Sequence, residues 1–89
     1  MAWKIELSAT VDRDLTKLDA QHRSRILSFL NDRLAKLDDP RTIGEALRGS
    51  RLGDFWKYRV GDYRLICEIE DDRVLILVLR VGHRREVYR

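Results

Sequence analysis

The stretch "KYRVGDYRL" (residues 57–65) consists of two alternating apolar and polar runs on either side of Gly61-Asp62. A two-residue Gly-Asp loop between such runs is typical of a tight β-hairpin. In this hairpin Arg59 lies opposite Arg64, and Lys57 shares their face. Like charges directly opposite each other destabilise a sheet by up to roughly 1 kcal/mol. The hairpin therefore predicts a face on which three cations gather at some cost.

Three explanations of this face remain open from the residues alone. The arginines could pair with carboxylates, or their stems could cover apolar neighbours while their charged ends reach water. They could also bind an anionic ligand, since guanidinium groups match phosphate oxygens.

The alternation also predicts which side chains form the core. One face is apolar and should lie against helices, whereas the other carries the cations with Ile66 and Glu68. A second tight turn at Asp71-Asp72 would then place Leu75, Leu77 and Leu79 beside the cations. The predicted core face comprises Trp56, Tyr58, Val60, Tyr63, Leu65, Cys67, Ile69, Val74, Ile76 and Val78.

The rest of the chain predicts an α+β fold. A strand over 3–7 precedes a short helix from about Val11 to Leu18 and a longer helix over 20–37, which Pro40 ends. One helical turn is expected at 45–48, and strands at 55–60, 63–70 and 73–81. We therefore expect a single domain (1–89): an N-terminal strand, a two-helix hairpin and a three-stranded antiparallel meander, with the helices packed on one face of the sheet.

The composition limits the class of protein. The chain has 89 residues, of which 37% are charged. It has no apolar run long enough to span a membrane and no signal-peptide pattern, so we expect a cytoplasmic protein. The one cysteine, Cys67, is predicted to be a buried core residue. One cysteine and two distant histidines do not form a zinc site, so we expect no metal and no cofactor.

Positive charge is concentrated in the second half of the chain. The stretches 48–64 and 80–89 hold nine basic and three acidic residues. A local positive field of this kind indicates an anionic partner, although a solvated arginine-rich surface has the same composition. The closing stretch "LRVGHRREVYR" (79–89) adds an aromatic residue among arginines, a combination suited to stacking on an unpaired base.

Three segments of the chain resemble the RelE/ParE superfamily, and specifically the RelE-type toxins of type II toxin–antitoxin pairs. They are "LRG" (47–49), "WKYRVGDYRL" (56–65) and "RVGHRREVYR" (80–89). The resemblance implies a metal-free endoribonuclease that cuts mRNA in the ribosomal A site. It also implies a RelB-like antitoxin as partner, in a heterodimer or a 2:2 assembly, and operator DNA bound mainly through that antitoxin.

The resemblance assigns the functional positions. The catalytic set carried over is Lys57, Arg59, Arg64, Arg84 and Tyr88. Further RNA contacts are expected from Arg48, Arg51, His83, Arg85 and Arg89. Antitoxin contacts are expected on a separate physical ground from Ile66, Leu75, Leu77 and Leu79, apolar residues that lie beside the cations and need cover.

The chemistry suggests roles for the catalytic set. Neighbouring cations favour the neutral form of a lysine, so Lys57 is the candidate base, with Arg59 and Arg64 as clamps for the transition state. Arg84 would lie near the leaving oxygen and Tyr88 against a base. The best-studied family pattern has a second lysine where this chain has Arg59.

Arginine is a poor proton donor or acceptor. His83 is therefore the more natural acid or base in the closing stretch, and Arg85 could take the place of Arg84. Two other functions use the same fold. One is ParE-type inhibition of DNA gyrase, and the other is a non-catalytic protein that binds nucleic acid or antitoxin.

Overall fold

The structure, a computed structural model, describes residues 2–47 and 55–86. Its main elements are, in chain order, β1 (Lys4–Leu7), α1 (Ala9–Thr16), α2 (Ala20–Ser28), β2 (Glu45–Ala46), β3 (Phe55–Val60), β4 (Tyr63–Glu70) and β5 (Leu75–His83). The sheet has the order β1-β5-β4-β3-β2, with β1 parallel to β5 and the other pairs antiparallel. The predicted α+β class, with the helix pair against one face of the sheet, is confirmed.

Polar side chains fix the ends of both helices. The Ser8 hydroxyl accepts the Val11 N–H at 3.1 Å, and the Asp19 carboxylate accepts the His22 N–H at 2.9 Å. These caps satisfy N–H groups that have no partner inside a helix. The Arg23 guanidinium donates to the Leu18 carbonyl at 3.2 Å. The tight connection between α1 and α2 is therefore held by side-chain bonds of Asp19 and Arg23.

The helical path continues beyond α2 in an irregular form. A π-helical turn covers Phe29–Arg33, and a 3₁₀ turn covers Leu34–Lys36. Arg33 leaves helical geometry, with φ −120 and ψ −63. The predicted helix over 20–37 thus ends close to its expected end, but its last turns are not α-helical. No helix within 2–47 and 55–86 is long and apolar enough to cross a membrane.

The predicted hairpin forms with the predicted register. Arg59 lies opposite Arg64, and Val60 lies opposite Tyr63. Gly61 has φ +60, a left-handed conformation that glycine adopts without steric cost. The local turn chemistry therefore identifies this element correctly.

One core lies between the helices and the sheet. Its buried members are Val11, Leu15, Ile26, Leu30, Leu34, Tyr58, Val60, Leu65, Cys67, Ile76, Val78 and Val81. Cys67 has no solvent exposure, as predicted, and burial raises the pKa of its thiol to about 12. A thiol in that state is a packing residue rather than a nucleophile.

A β-bulge changes the alternation of β5. Cys67 lies opposite Val78 and Ile66 lies opposite Arg80, which leaves Leu79 as the additional residue. The Asp14 carboxylate on α1 accepts the Val81 N–H at 3.0 Å and pairs with the Arg80 guanidinium at 3.2 Å. The bulge is thus held from the helix layer, and the simple alternation predicted for residues 73–81 fails beyond Val78.

The predicted two-residue turn at Asp71-Asp72 is wrong. The chain makes a 3₁₀ turn over Asp71–Arg73, and β5 begins at Leu75. Val74 is therefore outside the strand, with φ 47 and ψ 50. A left-handed conformation costs an L-residue roughly 1–2 kcal/mol, most of all a β-branched one.

This strain gives a stability prediction. Val74→Asn should raise the free energy of unfolding by about 0.5–1 kcal/mol, because asparagine tolerates the left-handed region that valine avoids. The gain is reduced by the apolar contact that the half-buried valine loses. Urea denaturation of both proteins measures the difference. An unchanged or lower stability of the variant would contradict the strain at this position.

Candidate functional site

The short strand β2 places a carboxylate among the predicted cations. Glu45 lies opposite Lys57 in the sheet, and its carboxylate is 3.1 Å from the Lys57 ammonium. The helical turn predicted from residue 45 is wrong at Glu45–Ala46, which pair with β3 instead. A two-residue strand has no periodicity that sequence reasoning could detect, so Glu45 was missed.

All three cations of the hairpin act electrostatically on the Glu45 carboxylate. A hydrogen bond from Lys57 and its charge lower the pKa of Glu45 below its ordinary value of 4.5, and the charges of Arg59 and Arg64 lower it further. The Lys57 ammonium therefore has a carboxylate neighbour as well as the two arginines, and its role as a base stays a prediction.

The opposed arginines avoid each other by taking different partners. The Arg64 guanidinium donates to the carbonyls of Gly61 at 3.0 Å and Tyr63 at 2.9 Å, and Arg64 is only 8% exposed. Arg59 is exposed, and no carboxylate within the described ranges pairs with it. Arg64 thus holds the hairpin loop, whereas Arg59 keeps its donors available to a ligand.

A cavity of about 160 Å³ lies beside Lys57 and Arg59. Its lining includes Glu45, Lys57 and Arg59 together with residues of the π-helical turn. We call the three cations Lys57, Arg59 and Arg64, together with their carboxylate neighbour Glu45, the cation face.

Gly44 positions this face. A Cβ built on Gly44 would lie 2.8 Å from the Tyr58 ring, which is buried and donates its hydroxyl to the Pro40 carbonyl at 2.7 Å. The pKa of Tyr58 is raised, chiefly by burial. The chain just before Glu45 therefore packs directly against an aromatic ring that has little room to move.

This contact gives a second stability prediction. Gly44→Ala should lower the free energy of unfolding by about 1–3 kcal/mol, the usual range for overpacking. The matched control is Ala46→Gly, which adds no atom and removes one methyl group from an exposed strand position. Thermal denaturation followed by circular dichroism measures both. A Gly44→Ala protein as stable as the parent would show that the Tyr58 ring can yield.

The closing stretch divides between two sides of the sheet. The Arg84 N–H donates to the Asp62 carbonyl at 2.8 Å, which places the exposed Arg84 next to the hairpin loop. His83 lies opposite Tyr63, with their ring centroids 5.9 Å apart, whereas Gly82 lies opposite Arg64. Because neighbouring strand residues point to opposite faces, His83 is on the other side of the sheet from Arg64. The structure thus separates His83 from the cation face, against the expected acid or base role.

Arg85 is exposed, and its N–H donates to the His83 ring at 3.3 Å. Four predicted contacts lie outside the described residues: Arg48, Arg51, Tyr88 and Arg89. Within 2–47 and 55–86, no group of three or more His, Cys, Asp or Glu residues is placed to hold a metal ion.

The predicted apolar partner surface is smaller than expected. Leu75 is 1% exposed in the chain alone, so its inclusion in an open surface is wrong. Ile66, Leu77 and Leu79 are half-buried. Ile66 lies opposite Arg80 and Leu77 lies opposite Glu68, so the remaining apolar patch is bordered by charges of both signs.

Comparison with known proteins identifies the family. Residues 5–88 match the family described as ParE toxin of type II toxin–antitoxin system, parDE. The chain belongs to this family of toxins. It is also 33% identical over 89 residues to Toxin RelG of Mycobacterium tuberculosis (strain ATCC 25618 / H37Rv), an alignment that covers 100% of this chain and 99% of RelG.

Two solved structures show the same fold in complexes. The RelBE2 toxin–antitoxin complex of Mycobacterium tuberculosis has a chain with a TM-score of 0.83 and 29% identity, and the match covers 97% of this chain and 95% of that one. The archaeal RelE–RelB complex of Pyrococcus horikoshii OT3 gives a TM-score of 0.76 and 27% identity, covering 98% and 100%. The chain is thus a toxin of a type II system with a RelE-like structure.

Proposed function

We propose that this toxin is a ribosome-dependent endoribonuclease that cuts mRNA in the A site. The observation that carries the proposal is the Glu45–Lys57 ion pair at 3.1 Å beside the exposed Arg59, which forms no ion pair with a carboxylate of the described residues. A carboxylate, an ammonium group and an available guanidinium on one face are the groups that phosphodiester cleavage requires: a proton acceptor, a proton donor and a binder of phosphate.

The reaction follows from this geometry. The Glu45 carboxylate accepts the proton of the 2′-OH, and the 2′-oxygen attacks the adjacent phosphorus. The bond from phosphorus to the 5′-oxygen breaks, and that oxygen takes a proton from the Lys57 ammonium. The products are a 2′,3′-cyclic phosphate and a 5′-OH end. Arg59 stabilises the negative charge that builds up on the phosphate oxygens.

The remaining residues of the predicted set have supporting roles in this proposal. Arg64 adds a fixed positive charge and holds the loop through the Gly61 carbonyl. Arg84, next to that loop, contacts the RNA strand on the leaving-group side. Tyr88, which lies outside the described residues, keeps its proposed role of stacking on a base.

A single atom of the substrate tests the mechanism. Ribosomes are programmed with two short mRNAs, one all-ribose and one with a 2′-deoxy residue at the cut position. The toxin should cut the first to a 2′,3′-cyclic phosphate and leave the second intact at that position. Cleavage of the deoxy substrate at the same bond would contradict attack by the 2′-OH.

We also propose a RelB-like antitoxin as the partner, in a 1:1 or a 2:2 assembly that binds its operator mainly through the antitoxin. The support is that two structural relatives lie in RelB–RelE-type complexes and that Ile66, Leu77 and Leu79 remain partly uncovered. Hydrogen exchange with and without the cognate antitoxin measures which strand is covered. Unchanged exchange across β5 would exclude this surface.

Inhibition of DNA gyrase is the second candidate, because the matching family carries the ParE description. The Glu45–Lys57–Arg59 arrangement has no evident use in such an inhibitor. The two functions differ in their target, so assays of mRNA cleavage and of DNA supercoiling separate them.

A further inference from the structure

The cavity beside the cation face is also lined by residues that the proposed reaction does not use. Its volume is about 160 Å³, and its lining adds Phe29 and Arg33, from the π-helical turn, and Ile43, from the 3₁₀ turn before β2, to Glu45, Lys57 and Arg59. π-helical turns occur frequently at functional sites. This irregular turn therefore coincides with one wall of the candidate site.

Two arginines at this cavity favour an anion. Arg33 and Arg59 both line it, and neither forms an ion pair with a carboxylate within 2–47 and 55–86. The Arg33 guanidinium lies over the Phe29 ring, 5.9 Å from its centroid. A guanidinium above an aromatic ring still has N–H donors for a phosphate.

The same wall offers apolar surface for a planar ring. Phe29 is half-buried, and Ile43, a large hydrophobic residue, is 37% exposed. The cavity volume equals that of about five water molecules in the liquid. A space of this size accommodates one ring system rather than a folded peptide segment.

We propose that this cavity is an RNA subsite for the nucleotide next to the one that is cut. The base packs against Phe29 and Ile43, and its phosphate lies between Arg33 and Arg59. Arg33 is thereby a substrate-binding residue. The inference rests on the proposed function, and it specifies where the RNA strand runs after it leaves the Glu45–Lys57 pair.

An acidic peptide is the competing occupant, and the geometry favours RNA. A nucleic-acid strand carries a phosphate at every residue, so one strand can reach Lys57 and the Arg33–Arg59 gap in succession. It also brings a planar ring into contact with the stacked Phe29 and Arg33 pair. A peptide would have to supply both features from separate side chains.

Binding of a short RNA tests the subsite apart from catalysis. The probe is an RNA trinucleotide with a 2′-deoxy middle residue, titrated while the NMR signals of the Phe29 ring and the Ile43 methyl groups are followed. Both signals should shift. Arg33→Ala should weaken binding about five- to tenfold and make the salt dependence shallower by about one phosphate contact.

Two further variants make the result specific. Arg13→Ala removes the same charge from an exposed position on α1 and should change affinity less than twofold. Arg33→Lys keeps the charge but not the fork, so it should retain the salt dependence and lose part of the affinity. Urea denaturation of each variant checks that the fold is intact.

Three results would overturn the subsite. One is an Arg33→Ala protein with the affinity and salt dependence of the parent. Another is the absence of any shift at Phe29 and Ile43 when RNA binds. The third is a shift of these signals by a glutamate-rich peptide and not by RNA. A toxin that binds the trinucleotide in this way but cuts no mRNA would retain the subsite and refute the proposed reaction.

Discussion

Arg59→Ala should lower cutting of mRNA in the A site about 10²–10³-fold, the usual effect of removing one donor that stabilises charge in the transition state. Arg59 is the expected phosphate ligand because it is exposed and pairs with no carboxylate of the described residues. Single-turnover cleavage on programmed ribosomes measures the loss. Under these conditions substrate binding and the chemical step can be separated.

The fold should not account for this loss. Substitution of an exposed side chain without an ion pair changes the free energy of unfolding by about 0.5 kcal/mol or less, so the variant should unfold with the parent. Arg13→Ala serves as the matched charge control. Arg59→Lys should recover part of the rate, since it restores the charge but not the bidentate geometry. Cutting by Arg59→Ala at the parental rate would remove Arg59 from the reaction.

Glu45→Gln should lower the rate of the cleavage step about 10²-fold, the lower end of what general acid–base catalysis contributes. The amide keeps the size of the side chain but cannot accept the proton of the 2′-OH. Glu68→Gln is the control, because Glu68 is a carboxylate on β4 that lies opposite Phe55 and Leu77 rather than Lys57. Equal rates for Glu45→Gln and the parent would leave the base unassigned.

The pH dependence makes the same test sharper. The pKa of Glu45 is held below 4.5 by Lys57 first and then by Arg59 and Arg64. A carboxyl group with a lowered pKa is ionised above its ordinary value and becomes protonated only as the pH falls through the lower, folded value. The rate of the parent should therefore fall in acid below pH 4.5. Glu45→Gln should lack this acid limb, and its presence in the variant would assign the limb to another group.

Sequence reasoning succeeded where the signal was local. The Gly61-Asp62 turn and the alternation around it predict the hairpin, the opposition of Arg59 and Arg64, and the burial of Cys67, all of which the structure confirms. Turn chemistry and period-two alternation act over a few residues, so a single sequence contains enough information to read them.

It failed where the decisive partner is distant in the chain. Glu45 meets Lys57 through a two-residue strand, and the bulge at Leu79 is held by Asp14 from α1. Neither contact has a periodic signature, and both depend on how the layers pack. The left-handed Val74 violates its own local preference, so propensity predicts the opposite conformation there.

The candidate site shows the same division. The cations were found from the alternation, but the chemistry assigned to them depended on which groups they meet. In the proposed mechanism the approach of Glu45 makes Lys57 the proton donor rather than the base, and Arg64 binds the hairpin loop rather than the phosphate. His83, adjacent to Arg84 in sequence, packs instead against Tyr63 on the opposite side of the sheet.

The most direct test of the central claim is to map the 5′ ends of one mRNA incubated with purified toxin in three tubes. The first holds a reconstituted translating system, the second holds naked mRNA, and the third repeats the first with the cognate antitoxin added. A parallel assay measures supercoiling by DNA gyrase. The account predicts cuts at A-site codons in the first tube alone and normal supercoiling. Intact mRNA in every tube together with blocked supercoiling would contradict it and identify a gyrase inhibitor.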